Sequence, residues 1–135
     1  MSTLFTKIIH GDIPSYKVAE DDSCYAFLDI FPLVEGHVLV VPKVEVDELY
    51  ELPESTYKSL MSFSQKVARA IKMCYPNKRV ASSVIGLEVP HAHLHLMPIS
   101  SMDDMNFSNE KLKFSDDEFK KISKELAKAF SSLRD

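Results

Sequence analysis

Gly86-Leu87-Glu88-Val89-Pro90-His91-Ala92-His93-Leu94-His95-Leu96-Met97-Pro98 is the stretch on which the reading of this chain turns. Three of the five histidines fall within five consecutive positions and alternate with small or apolar residues. On a strand, where successive side chains point to opposite faces, His91, His93 and His95 would share one face. Ala92, Leu94 and Leu96 would then enter a core on the other. Three imidazoles side by side cost desolvation and repel one another once protonated, so a purely structural role explains them poorly.

Two chemistries suit such a cluster. Imidazole is a good zinc ligand, and histidines at i and i+2 of a strand can reach one ion. The first and third would lie roughly 13 Å apart in a flat strand, so a further ligand would come from elsewhere, with His37 and Glu45 as candidates. The other chemistry is attack on phosphorus. An imidazole with a pKa of about 6.5 is largely neutral at cellular pH and can act as a nucleophile. It then forms a phosphohistidine-type intermediate that water resolves. That nucleophile needs its second ring nitrogen held by an acceptor, and neighbouring imidazoles can donate to the non-bridging oxygens.

Outward from the histidines, Arg79 to Ile85 reads as a strand and Gly86 as a bend. Upstream, Pro53 fits the first turn of a helix that continues from Tyr57 to Tyr75, with Leu60, Val67, Ile71 and Cys74 on one stripe. His37 to Val41 is nearly all apolar and β-branched, as a central strand buried on both faces would be. Tyr16–Glu20 and Cys24–Asp29 alternate around an Asp-Asp-Ser turn and predict a hairpin. Leu4 to Ile9 is a helical turn, and His10 beside Gly11 belongs to a surface turn. Downstream, Met102, Met105 and Phe107 stand in a polar stretch as lids over apolar surface. Ser115 and Glu118 form a capping box, and Phe119, Ile122, Leu126, Phe130 and Leu133 then line a C-terminal helix. Strands and helices do not alternate regularly, which favours an antiparallel α+β fold.

With 135 residues, 45% hydrophobic and 27% charged, the chain reads as one globular domain over residues 1–135, with a helical extension at about 115–133. A net charge of −4 gives no reason to expect nucleic acid or an anionic membrane as partner. No segment approaches the roughly 18 apolar residues of a membrane span. The N-terminal residues lack a signal-peptide pattern. Cys24 and Cys74 are too few for a disulfide framework, and reduced cysteines in a cytoplasmic protein are the simplest reading.

His91-Ala92-His93-Leu94-His95-Leu96-Met97 resembles the His-φ-His-φ-His-φ-φ motif of the histidine triad (HIT) family. Phe5–Pro14, Cys24–Ile30 and Gly36–Lys43 are similar to the family's preceding segments and occur in the same order. The resemblance implies a HIT-like α+β fold: a mainly antiparallel sheet, one long central helix, an additional C-terminal helix, and assembly as a homodimer. It implies a nucleotide hydrolase in which His93 takes a nucleotidyl group. His91 and His95 would flank it and contact phosphate oxygens, and His37 would support the triad. Asp29 would accept hydrogen bonds from ribose hydroxyls, and Phe5, Ile8, Phe27, Leu28 and Ile30 would line a purine pocket. The substrate would be a purine nucleoside phosphoramidate or a dinucleoside polyphosphate, with no cofactor required, although a polyphosphate could arrive with Mg²⁺.

The chain departs from the family pattern in places. Glu45 stands where many relatives carry a second histidine, Leu87 where glutamine is common, and Glu88 where serine or threonine faces the phosphates. The phosphate-contacting asparagine has no clear counterpart in Ala81–Ile85. Glu88 and the missing donors keep open a nucleotide-binding regulatory module with little catalysis, and the histidine cluster keeps open a histidine-based metal-binding domain.

Overall fold

In a computed structural model, which describes residues 2–133, five strands form one sheet. The elements are α1 (Leu4–Ile9), β1 (Lys17–Glu20), β2 (Cys24–Leu28), β3 (Val38–Pro42), α2 (Glu54–Cys74), β4 (Arg79–Ser83), β5 (Leu94–Ile99) and α3 (Asp116–Ser132). The strand order is β1-β2-β3-β5-β4 and each neighbouring pair is antiparallel. The apolar run of β3 therefore occupies the middle of the sheet, buried at every position, as its composition predicts.

Side-chain alternation divides the sheet into two unlike faces. Cys24, Ala26, Leu28, Val38, Val40, Ala92, Leu94 and Leu96 pack with Leu60, Phe63, Val67 and Ile71 of α2 and Phe119, Ile122 and Leu126 of α3. Tyr25, Phe27, Leu39 and Val41 point the other way and are covered by Phe5 and Ile8 of α1. Both long helices thus cover one face, and one short helix covers part of the other. The space beside α1 is left for a site.

Local chemistry explains the element ends. Ser115 accepts from the Glu118 N–H while the Glu118 side chain accepts from the Ser115 N–H, the predicted capping box. Pro53 caps α2, one position ahead of the expected first turn. The strand expected over Arg79–Ile85 ends at Ser83, where its pairing with His95 stops. Met102 is 92% exposed and covers nothing, because its 3-10 turn lies on the surface. The histidine strand begins only at Leu94: the Ala92 N–H donates to the Val46 carbonyl at 2.7 Å, outside the β3–β5 ladder, and His91 follows Pro90. The alternation of faces survives through residues 91–93, although the ladder does not.

Gly36 introduces β3 with a φ of +87°. A Cβ there would stand 2.7 Å from Tyr75 Cε2 and 3.1 Å from Pro98 Cγ. Gly36→Ala combines left-handed strain with overpacking and is expected to cost about 2–4 kcal/mol, read as a lower urea midpoint at unchanged m-value. A variant as stable as wild type would mean that the Tyr75 ring moves aside freely.

Candidate active site

A cavity of about 480 Å³ opens on the α1 face of the sheet. Phe5 and Ile8 of α1, Phe27 and Leu28 of β2, Asp29, Ile30, His37, Glu88, His93 and His95 all line it. The sequence nominated each of these from segments far apart in the chain. His91 does not line it. That ring is fully buried, with Nε2 2.8 Å from the Pro42 carbonyl and Nδ1 2.8 Å from Thr3 Oγ1. Both of its nitrogens are engaged away from the cavity, so the expectation that His91 meets phosphate oxygens is not supported by its placement.

Hydrogen bonds settle the tautomers of the remaining histidines. The Leu33 N–H donates to His37 Nδ1 at 3.1 Å, so that nitrogen is bare and the proton of the neutral ring sits on Nε2. His37 Nε2–H donates to His95 Nδ1 at 3.0 Å, which leaves the His95 proton on Nε2. A second contact of His37 Nε2, to Asp29 Oδ2 at 3.5 Å, is too long to compete. In His93, Nδ1–H donates to the His91 carbonyl at 2.7 Å. His93 Nε2 therefore carries a lone pair, and no protein group among the described residues takes it. His93 and His95 stand edge to face with ring centroids 5.1 Å apart.

Burial keeps these rings uncharged. Desolvation holds His37 down at about 3, with His95 and Lys111 adding to it. It holds His95 at about 4, with His93 adding to it. His93 is lowered by the same burial, against the pull of the His91 carbonyl, which favours the charged form. The site thus presents a neutral nucleophilic nitrogen beside a neutral N–H donor. Asp29 is shifted upward by burial, and the Phe31 N–H donating to its Oδ1 at 2.8 Å opposes that shift.

Neutral burial makes stability depend on pH. In the unfolded chain His37 and His95 take up protons below about 6.5, while in the fold they stay neutral to about 3 and about 4. Between those limits the unfolded state binds more protons, so stability falls as the pH drops from 6.5 towards 4, by up to about 1.4 kcal/mol per pH unit for each ring. Urea midpoints across that window are expected to fall less steeply in His37→Gln, which keeps a hydrogen-bonding group but does not titrate. Equal slopes would count against the assignment.

Among the lining residues that the sequence does not single out for the site, Phe107 and Lys111 stand beside the histidines. Phe107, expected only as a lid over apolar surface, sets its ring edge-on 4.9 Å from His95. Lys111 carries no sequence signal of its own and still lines the cavity. Its Nζ donates to the carbonyls of Phe107 at 2.6 Å and Asn109 at 3.0 Å, at the edge of the cavity. The segment is anchored by the Leu112 N–H donating to the Pro32 carbonyl at 2.8 Å. An aromatic residue within a polar stretch was a signal for Phe107; nothing local marked Lys111.

The metal alternative takes a different form from the one expected. One triad histidine, His95, joins His37, one of the two expected further ligands, and Asp29, with ligating atoms within 4.8 Å of one another, in place of an i, i+2 histidine pair. An ion there would have to break the His37–His95 hydrogen bond. Glu45 is engaged elsewhere, with Thr3 and Thr6.

Residues 10–102 match the family described as HIT domain. An uncharacterized HIT-like protein of Borreliella burgdorferi is 34% identical over 132 residues, 92% of this chain and 95% of that one. The adenosine 5′-monophosphoramidase hnt1 of Schizosaccharomyces pombe is 37% identical over 103 residues, covering 73% of this chain and 74% of its own length. Among solved structures, a zinc-bound histidine triad family protein from Mycobacterium smegmatis superposes with a TM-score of 0.81 at 27% identity, over 97% of this chain and 94% of that one. With its sheet, its cavity and its triad in place, the chain belongs to the histidine triad family.

Proposed function

We propose that this protein is a nucleotide hydrolase that cleaves the bond between a purine nucleoside 5′-phosphoryl group and its leaving group through a nucleotidyl-His93 intermediate. The observation that carries the reading is the free Nε2 lone pair of His93 at the cavity, its ring fixed by Nδ1–H donating to the His91 carbonyl. His93 Nε2 attacks phosphorus, a P–N bond forms, and the bond to the leaving group breaks as that group takes a proton. Water then attacks the same phosphorus, the P–His93 bond breaks, and a nucleoside monophosphate leaves. His95 Nε2–H donates to a non-bridging oxygen as charge builds in both steps. Asp29 Oδ2 accepts from ribose hydroxyls, and Phe5, Ile8, Phe27, Leu28 and Ile30 enclose the base.

Charge selects among substrates. Lys111 is the only lysine or arginine among the described residues lining the cavity, and Asp29 and Glu88 oppose it with two carboxylates. A phosphoramidate, with one phosphoryl charge, suits that balance better than a polyphosphate with several. The phosphoramidase name of the Schizosaccharomyces pombe relative points the same way. The homodimer implied by family resemblance would be built on the long helix and a sheet edge; β1 and β4 are the edge strands among the described residues.

The test is a steady-state comparison of adenosine 5′-phosphoramidate with diadenosine polyphosphates. The expected result is AMP release with the higher kcat/KM for the phosphoramidate. AMP binding with no turnover of any of them would instead favour a binding module. Loss of the chain's nucleotide binding on adding a chelator, with stoichiometric zinc by elemental analysis, would favour a metal site at Asp29, His37 and His95.

A further inference from the structure

Glu45, Thr3 and Thr6 have no part in the chemistry described so far, yet they are connected to it. One Glu45 oxygen, Oε1, accepts from the Thr3 N–H at 2.8 Å and from the Thr6 hydroxyl at 2.7 Å. These bonds hold its carboxyl below the usual carboxylate range, so it is ionised at neutral pH. The Thr3 hydroxyl caps α1 by accepting from the Thr6 N–H at 3.1 Å. The same hydroxyl lies 2.8 Å from His91 Nδ1.

His91 ties this cluster to the reacting atom. Its Nε2 faces the Pro42 carbonyl, which only accepts, so Nε2 carries a proton, and Nδ1 pairs with the Thr3 hydroxyl. The ring is pinned at both nitrogens and fully buried. Its main-chain carbonyl is the acceptor that holds His93 Nδ1–H at 2.7 Å. Residues 91–93 precede the β5 ladder, so strand register does not place that carbonyl. The His91 N–H bond to the Val89 carbonyl at 2.8 Å, the Ala92 N–H bond to Val46 and the pinned ring of His91 place it together.

We propose that Thr3 and Glu45 are positioning residues for His93: by fixing the His91 ring they aim its carbonyl at Nδ1–H and keep the Nε2 lone pair facing the cavity. The kinetic part rests on the reading of His93 as nucleophile. The competing account makes the cluster only a cap for α1, which carries Phe5 and Ile8 into the cavity wall. A cap alone would raise KM and leave kcat unchanged.

The deciding variants are Thr3→Val and Glu45→Ala, each beside a conservative partner, Thr3→Ser and Glu45→Gln, that retains the needed hydroxyl or oxygen. With adenosine 5′-phosphoramidate, Thr3→Val is expected to lower kcat roughly tenfold, the scale of one lost hydrogen bond. Glu45→Ala should lower it by a smaller factor, and both partners should restore it. A long-range ¹H–¹⁵N correlation spectrum of the histidine rings reads the same effect without substrate. Wild type should show His93 protonated at Nδ1 alone, and Thr3→Val an averaged pair of ring nitrogens. If Thr3→Val does not fold, Glu45→Ala against Glu45→Gln carries both readouts. An unchanged His93 ring signal in folded variants, or a rise in KM at constant kcat, overturns the proposal. Absence of turnover in wild type would sink the enzymatic reading, while the ring spectra still decide the positioning.

Discussion

In His93→Ala, turnover of adenosine 5′-phosphoramidate should fall by about 10⁴-fold or more, the scale on which removal of a covalent nucleophile acts, while AMP binding persists. Both halves of this result follow from the geometry. His93 Nε2 has a lone pair free for attack, His37 Nε2 gives its proton to His95, and His91 uses both nitrogens away from the cavity. No neighbouring imidazole can therefore replace His93 as nucleophile. Binding depends on the base-enclosing walls and Asp29, which the substitution leaves in place. The check has two arms: steady-state rates, and rapid acid quench with a radiolabelled nucleotide to trap the adduct. Wild type should carry label on the protein and His93→Ala none. A variant that retains a tenth of wild-type turnover would place the nucleophile elsewhere.

Much of this site was legible in the sequence because short-range rules govern the residues that build it. The period of two in Ala92–Leu96 sent alternate side chains to opposite faces, and the structure places Ala92, Leu94 and Leu96 in the main core and His93 and His95 on the cavity side. The apolar run of β3 and the capping box of α3 are likewise local signals, and both elements appear where expected. The parts that were not legible depend on contacts distant in sequence. The ladder starts at Leu94 because Ala92 bonds to Val46, 46 positions upstream, which no alternation pattern encodes. His91 looked equivalent to His95 by spacing. What separates them is the Thr3 hydroxyl and the Pro42 carbonyl, brought together by the fold. Lys111 lies at the cavity in a segment that the Leu112 N–H ties back to the Pro32 carbonyl, 80 positions upstream.

His95→Phe should lower kcat by about 10²-fold or more and change KM by no more than a few-fold, the behaviour of a donor whose bond strengthens in the transition state. Phenylalanine keeps a ring to fill the space beside Phe107, whose centroid is 4.9 Å from that of His95, and removes both nitrogens. The lost group is Nε2–H, whose protonation is dictated two residues away from the chemistry: Leu33 N–H fixes His37, and His37 fixes His95. Because His95 stays neutral down to about 4, it acts at pH 7 as a dipolar donor rather than as a cation. Charge grows on the phosphoryl oxygens both when His93 attacks and when water releases the nucleotide, so the substitution should slow both steps. Single-turnover measurement of adduct formation and of adduct hydrolysis separates them. A loss confined to formation would assign the His95 proton to the leaving group instead, and a change below about fivefold in both would remove His95 from the reaction altogether.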